Sequence, residues 1–259
     1  MVRTKIKKNG ILRRFRPLAE RLDNNMKGND LNFFKYDIKK YNFIKLVEDL
    51  FKIKNLRKIH ELKPEYIHHN LFTNNNDDQT FFHNTFYKKL NTDWPEFINT
   101  YQNFVKEIVC PIFDVDSIVY QATPTFRVQL PNNIAVGGSG KKKNNEKYGW
   151  HKDSDPEYNH PEGEKNFIIP LTYARETASL YVETHPESNV FESVPMNVGE
   201  FFRFNGSKCV HGNKKNITNF SRVSLDFRVI LRKDYDKNFV KESKLSAKKF
   251  IIGGYYEKI

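Results

Sequence analysis

His151 and Asp153 stand two positions apart in YGWHKDSDPEYNH, Tyr148 to His160, and a third metal-binding side chain, His211, lies in CVHGN. In an extended segment residues i and i+2 point to one side, so the imidazole and the carboxylate can converge while Lys152 faces away. With His211 they supply two histidines and one carboxylate. That set covers one face of an octahedral cation and leaves three positions open, the arrangement of non-haem Fe(II) centres that take a cosubstrate and oxygen. By itself an H-x-D pair is a weak signal in a chain of 259 residues.

The residues after His211 strengthen it. Arg222 stands eleven positions further on, in SRVSLDFRVI, where Arg222, Ser224, Asp226 and Arg228 alternate with Val223, Leu225, Phe227 and Val229. This is the period of a strand with one apolar and one polar face. If the polar face points inward, each guanidinium needs an anionic partner, because a buried unpaired charge is costly. Asp226 can serve one arginine. A dicarboxylate ligand can serve another, gripped by the planar fork with the Ser224 hydroxyl as an added donor.

Taken together, His151-x-Asp153, His211 and Arg222-x-Ser224 resemble the signature of the Fe(II)- and 2-oxoglutarate-dependent dioxygenases, over roughly residues 125–232, about half of the chain. Within that family, HGNKKNITNFSRVSLDFRVI and EKNFIIPLTYARETASLYVET resemble bacterial and phage hydroxylases of small molecules, among them members of aminoglycoside pathways. The resemblance implies a double-stranded β-helix, with His151, Asp153 and His211 as Fe(II) ligands and Arg222 with Ser224 on the distal carboxylate of 2-oxoglutarate. It also implies hydroxylation of a C–H bond, with 2-oxoglutarate and O2 converted to succinate and CO2. Because Asp153 is intact, a halogenase, which keeps that ligand position vacant, is disfavoured.

Two kinds of element must position these groups. Between Asp37 and Phe104 the apolar residues fall at helical spacing, as in YNFIKLVEDLFKIKNLRKIHEL, where Phe43, Val47, Leu50 and Phe51 share a side. Asp93 is placed to cap a helix beginning near Pro95. From Asp114 the pattern changes to short alternating runs: TFRVQLPNN, KNFIIPLTYA, ASLYVETHP, VGEFFRFNG and SRVSLDFRVIL. The expected fold is α+β: one domain over residues 1–259, with a mostly helical region (1–110) packed on one sheet of a jelly-roll core (111–232) and a charged tail (233–259). A core rich in Phe and Tyr suits strands, since aromatic residues make up 14% of the chain within a hydrophobic total of 38%.

Other residues are weighed against these. Arg127 and Gln129 share a strand face and are candidates for substrate or the inner carboxylate of 2-oxoglutarate, with a plain surface ion pair as the rival reading of Arg127. The Asn166 amide is a candidate for orienting the cosubstrate. Tyr148 and Trp150 flank the ligand strand as an aromatic wall or as core. For His60, His68, His69, His83, His160 and His185 a surface position is expected, His160 being the nearest rival as a ligand. AVGGSGKKK departs from a phosphate loop at Ala135 and Lys142, and is expected to be a loop over the site mouth whose Lys141, Lys142 and Lys143 attract an anionic small-molecule substrate.

The net charge of +12 is spread through Lys among Asn, with no stripe of basic and aromatic residues of the kind that stacks bases. Nucleic acid is therefore disfavoured as a partner, although a nucleic-acid hydroxylase or demethylase of the same fold stays as an alternative, beside a non-catalytic jelly-roll binding protein. Cys110 and Cys209 are too few for a disulfide framework and are expected as free thiols in a reducing compartment. Without an apolar leader or membrane span, a cytoplasmic location is expected, and the sequons at Asn216 and Asn219 are expected to be unused.

Overall fold

The computed structural model describes residues 32–68, 80–134, 150–244 and 248–259. Its helices are α1 (Phe43–Phe51), a single turn α2 (Glu65–His68), α3 (Phe81–Thr92) and α4 (Pro95–Phe104). The strands are β1 (Asn32–Lys35), β2 (Ile118–Gln121), β3 (Thr125–Gln129), β4 (Lys165–Pro170), β5 (Leu180–Glu183), β6 (Phe191–Val194), β7 (Glu200–Phe204), β8 (His211–Asn213), β9 (Arg222–Leu231) and β10 (Tyr256–Lys258). A larger antiparallel sheet runs β1-β7-β4-β9-β2-β10, with β3 also paired to β9, and a smaller one runs β6-β5-β8.

β9 organises the whole. Its first half pairs with β3 (Gln129 opposite Arg222) and its end with β2, while β4 lies along its other edge with Asn166 opposite Arg228. Val223, Leu225, Phe227 and Val229 face the helices and are buried with Phe43, Val47 and Phe51 of α1, Phe86 of α3, and Phe97 and Phe104 of α4. Ring contacts join these layers: Phe86 stacks on Phe126 at 4.3 Å and Phe167 on Phe227 at 5.2 Å. Burying rings of this size is the main apolar stabilisation available to a chain with few Leu in its strands. Behind the larger sheet a second cluster, Ile168, Phe202 and Phe204 with Leu180, Val182 and Cys209, packs the smaller sheet against it. Arg222, Ser224, Asp226 and Arg228 thus point into the space between the two sheets.

The fold is mixed helix and antiparallel sheet, as expected, and all five strand runs read from the sequence are present. Several details differ. NFFK, placed in the helical region, is strand β1 on the edge of β7, where Phe33 and Phe34 pack on Phe202 and Phe201. Asp93 ends α3 instead of capping α4: the cap position belongs to Trp94, whose indole is buried between Phe86 and Phe97, so ring packing and the Pro95 backbone set the junction. Leu50 is only half-buried at the margin of the α1 face. The C-terminal residues supply β10, paired with β2.

One histidine expected at the surface is inside, and two others are half-buried. His83 is buried, bonded to Thr80 Oγ1 at 2.8 Å, and burial together with the nearby Arg127 charge pushes its pKa down to about 3. His160 is half-buried, with Nδ1 2.8 Å from Glu164. His60, also half-buried, meets Ser221 Oγ, and His185 is exposed as expected. His69 and the loop at Lys141, Lys142 and Lys143 lie outside the described residues. Both cysteines are buried free thiols. No helix among the described residues is long and apolar enough to cross a membrane.

Candidate metal centre

His151 and His211 face each other across an isolated antiparallel bridge: the His151 amide donates to the His211 carbonyl at 3.1 Å and the His211 amide returns the bond at 3.0 Å. This pairing puts the two side chains on one side of the ladder. Beyond His151 the strand does not continue as the i, i+2 argument assumed. The backbone turns, the Lys152 amide donating to Asp155 Oδ2 and the Asp153 amide to the Gly206 carbonyl. The turn still carries the Asp153 carboxylate to the two rings.

The carboxylate's two oxygens have different surroundings. Oδ1 is buried, accepts no hydrogen bond, and lies 3.3 Å from His151 Nε2 and 3.6 Å from His211 Nε2. Two ligands at ~2.1 Å on adjacent octahedral positions stand ~3.0 Å apart, so this spacing fits three donors around one divalent cation. Oδ2 is taken: Asn166 Nδ2 donates at 2.6 Å and Arg228 Nε at 3.2 Å, and Arg228 Nη2 completes the ion pair at 3.2 Å. Burial works to raise the Asp153 pKa, but Arg228, His151, His211 and His160 together hold it well below the usual carboxylate range. The ligand oxygen is therefore anionic.

The imidazoles are held as a metal needs them. His211 Nδ1 lies 3.2 Å from the Cys209 carbonyl, which fixes the proton there and leaves Nε2 as an acceptor, and burial pushes the pKa down to about 4. Phe204 packs edge-on against His211, and Tyr158 stacks on His151 at 4.1 Å.

A rival group of donors, Asp153, His160 and Glu164, lies alongside. Both Glu164 oxygens are already used, one meeting His160 Nδ1 and the other accepting from the Tyr256 hydroxyl. Among the described residues the His151, Asp153 and His211 group is the one whose shared carboxylate oxygen has no protein donor.

The remaining candidates fall into place around it. Arg222 is 2% exposed, with Nε and Nη1 making no hydrogen bond, and the Ser224 hydroxyl two residues along the same face is buried and unpartnered too. Burial, and then the charge of Arg127, push the Arg222 pKa down to about 10, so it stays a cation at neutral pH. Gln129, opposite Arg222, donates to the Lys214 carbonyl and has a free buried Oε1. Arg127 donates through Nε to Asp226 Oδ1 at 2.9 Å. Tyr148 lies outside the described residues.

Two expectations are corrected. Asn166, read as a cosubstrate contact, has both ends engaged: its amide nitrogen holds Asp153, and its oxygen accepts from the Gly206 amide at 3.0 Å. A Cβ on Gly206 would sit 2.6 Å from that oxygen, so the glycine permits the approach. Trp150 is core and not an aromatic wall. Adjacent residues point to opposite sides, and its ring lies on Gly212, against Tyr181 and Phe191, with Nε1 donating to the Asn213 carbonyl.

Because a Cβ at Gly212 would stand 2.4 Å from Trp150 Cδ1, Gly212→Ala must displace the indole or the strand that carries His211. Overpacking of this kind costs about 1–3 kcal/mol. We expect the thermal midpoint to fall by roughly 2–10 °C, with weakened metal binding, measured by calorimetry with and without added divalent metal.

Arg228 and its neighbours Gln121 and Tyr255 were not singled out by sequence reasoning as parts of the site. The alternation along β9 did place Arg228 on the polar face, but nothing local indicated that its partner was Asp153, 75 residues away.

Sequence comparison finds one curated relative of clear similarity, the streptomycin biosynthesis protein StrG of Streptomyces griseus, 32% identical over 187 residues that span 72% of this chain and 80% of the relative. No family profile matches the chain. Among solved structures, similarity is found to SnoN, a non-haem alpha-ketoglutarate-dependent epimerase from nogalamycin biosynthesis (TM-score 0.44, 10% identity, 93% of this chain and 98% of that one). It is also found to EctD from S. alaskensis (TM-score 0.43, 14% identity, 86% and 81%).

Proposed function

The chain belongs to the family of the streptomycin biosynthesis protein StrG, and from that premise we propose that it is an Fe(II)- and 2-oxoglutarate-dependent oxygenase built on a double-stranded β-helix. Its reaction is hydroxylation of a C–H bond in a small polar metabolite. The observation that carries this reading is Asp153 Oδ1: a buried carboxylate oxygen, without a hydrogen-bond donor, aimed at the Nε2 atoms of two histidines. A buried acceptor left in that state is costly unless a ligand satisfies it.

Arg222 and Ser224 supply the matching argument for the cosubstrate. A guanidinium with two orphaned nitrogens beside an orphaned hydroxyl is a carboxylate receptor, and the fork gives it direction as well as charge. Fe(II), 2-oxoglutarate and O2 bound together would supply the oxidation, the oxo acid leaving as succinate and CO2. The chain's own groups orient and shield. His211 is locked by the Cys209 carbonyl, Asp153 by Asn166 and Arg228, and the rings of Phe204 and Tyr158 keep water off the imidazoles. No side chain is required as a general base.

The test is to load the protein with Fe(II) and 2-oxoglutarate without oxygen, then admit air in the presence of pooled sugar and aminocyclitol metabolites. Succinate release that needs both additions, and that one pool stimulates, is the expected result. Release no greater than in protein-free controls would overturn the reading.

A further inference from the structure

Arg228 sits at the centre of the buried polar network behind the metal centre. Its Nε and Nη2 both reach Asp153 Oδ2 at 3.2 Å. The third nitrogen, Nη1, donates to Asp226 Oδ2 at 2.9 Å and reaches Gln121 Oε1 at 3.4 Å. Gln121 in turn accepts from the Tyr255 hydroxyl at 2.8 Å, so the C-terminal residues close over the back of the group. Arg228 is 6% exposed, and its guanidinium cannot swing without breaking contacts to the turn at Asp153, to β2 and to its own strand at once.

With Asn166 added, Asp153 Oδ2 accepts two hydrogen bonds, from Asn166 Nδ2 and Arg228 Nε, while Oδ1 accepts none. An oxygen has two lone pairs, so Oδ2 has nothing left to offer a cation. This asymmetry matters at a two-histidine, one-carboxylate centre. An unrestrained carboxylate can grip a divalent cation through one oxygen or both. Two-oxygen binding would take one of the three open positions, and a chelating cosubstrate plus oxygen need all of them. Asn166 alone would leave Oδ2 a free lone pair. The fixed fork of Arg228 also sets a positive charge where a second metal–oxygen bond would form.

We propose that Arg228 is a positioning residue that, with Asn166, restricts Asp153 to binding the metal through Oδ1 alone and so keeps the third coordination position open. This rests on the metal centre of the proposed function, and the test separates the two.

Mn(II) is the probe, bound to the full-length protein without 2-oxoglutarate. Paramagnetic resonance of free Mn(II) gives the affinity, and line broadening in 17O-labelled water counts the metal-bound waters. The natural protein should show about three waters. Arg228→Met and Arg228→Lys should each lose one, with affinity weakened about 10–100-fold in the Met variant and less in the Lys variant, whose ammonium keeps the charge but cannot span Asp153 and Asp226. A merely structural role would change how much protein folds but not the water count of the loaded site. Should the Met variant fail to fold, the Lys variant decides. Three waters in a folded variant, or a Lys variant that does not fold, overturns the proposal while the metal centre stands. A natural protein that binds no Mn(II) overturns both.

Discussion

His211→Ala should abolish iron-dependent conversion of 2-oxoglutarate to succinate and weaken Fe(II) binding by a factor on the order of 10²–10³. That factor follows from apparent metal-binding energies of ~10–16 kcal/mol in four-ligand protein sites, or about 2.5–4 kcal/mol per ligand. His211 suits the test because its role can be removed without exposing a charge. Its side chain makes no ion pair when neutral, and burial keeps it neutral, with a pKa pushed down to about 4. The contacts that place residue 211, its two-way bridge to His151 and the pairing of β8 with β5, are made by backbone and survive the truncation. Asp153→Ala would be a poorer choice, since it leaves the buried Arg228 without its main carboxylate partner, which costs about 3–5 kcal/mol and confuses metal loss with unfolding. Equilibrium dialysis of Fe(II) and succinate quantification read the two effects. Turnover within a few-fold of the natural protein would remove His211 from the centre.

What could be seen in the sequence follows from the range over which each feature is encoded. The β9 alternation is written within ten residues, so its two faces, and hence the inward direction of Arg222 and Ser224, could be read directly. The helices facing it were legible for the same reason, since Phe43, Val47 and Phe51 repeat at one-turn spacing inside a single element. Partners joined by the tertiary fold were not legible. Asn166 carried a plausible amide and an inward face, but which acceptor it met depended on how β4 lies against the turn after His151. That turn also broke the strand on which the H-x-D argument relied, while keeping its conclusion. Trp150, for which a site wall and core both stood open, is decided by strand alternation, which puts neighbours on opposite faces and sends its ring into the core. His83 was misread because a lone histidine on a helix carries no sign of burial, and only the packing of α3 on β3 takes it inside.

Arg222→Met should move stability and cosubstrate binding in opposite directions. In the absence of a ligand Arg222 is a buried cation with two unsatisfied nitrogens, next to a like charge on Arg127 that helps to push its pKa down to about 10. Replacing such a group with an apolar side chain of similar length removes a desolvation cost, and substitutions of this kind stabilise by about 1–3 kcal/mol. The ligand-free variant should then melt roughly 2–10 °C above the natural protein. Binding should change the other way. Two charge-assisted hydrogen bonds to a carboxylate are worth about 3–5 kcal/mol together, so the apparent affinity for 2-oxoglutarate should fall on the order of 10²–10³-fold. The stabilising shift that 2-oxoglutarate gives the metal-loaded natural protein should vanish with it, because a ligand raises the melting point only in proportion to its occupancy. Scanning calorimetry with and without 2-oxoglutarate measures both terms on one sample. A purely structural Arg222, paired by some group of the chain itself, would give the reverse: a less stable variant whose response to 2-oxoglutarate is intact. The two orphaned nitrogens and the silent Ser224 hydroxyl beside them argue for the first outcome, in which the protein carries a standing instability at rest so that a dicarboxylate can relieve it on binding.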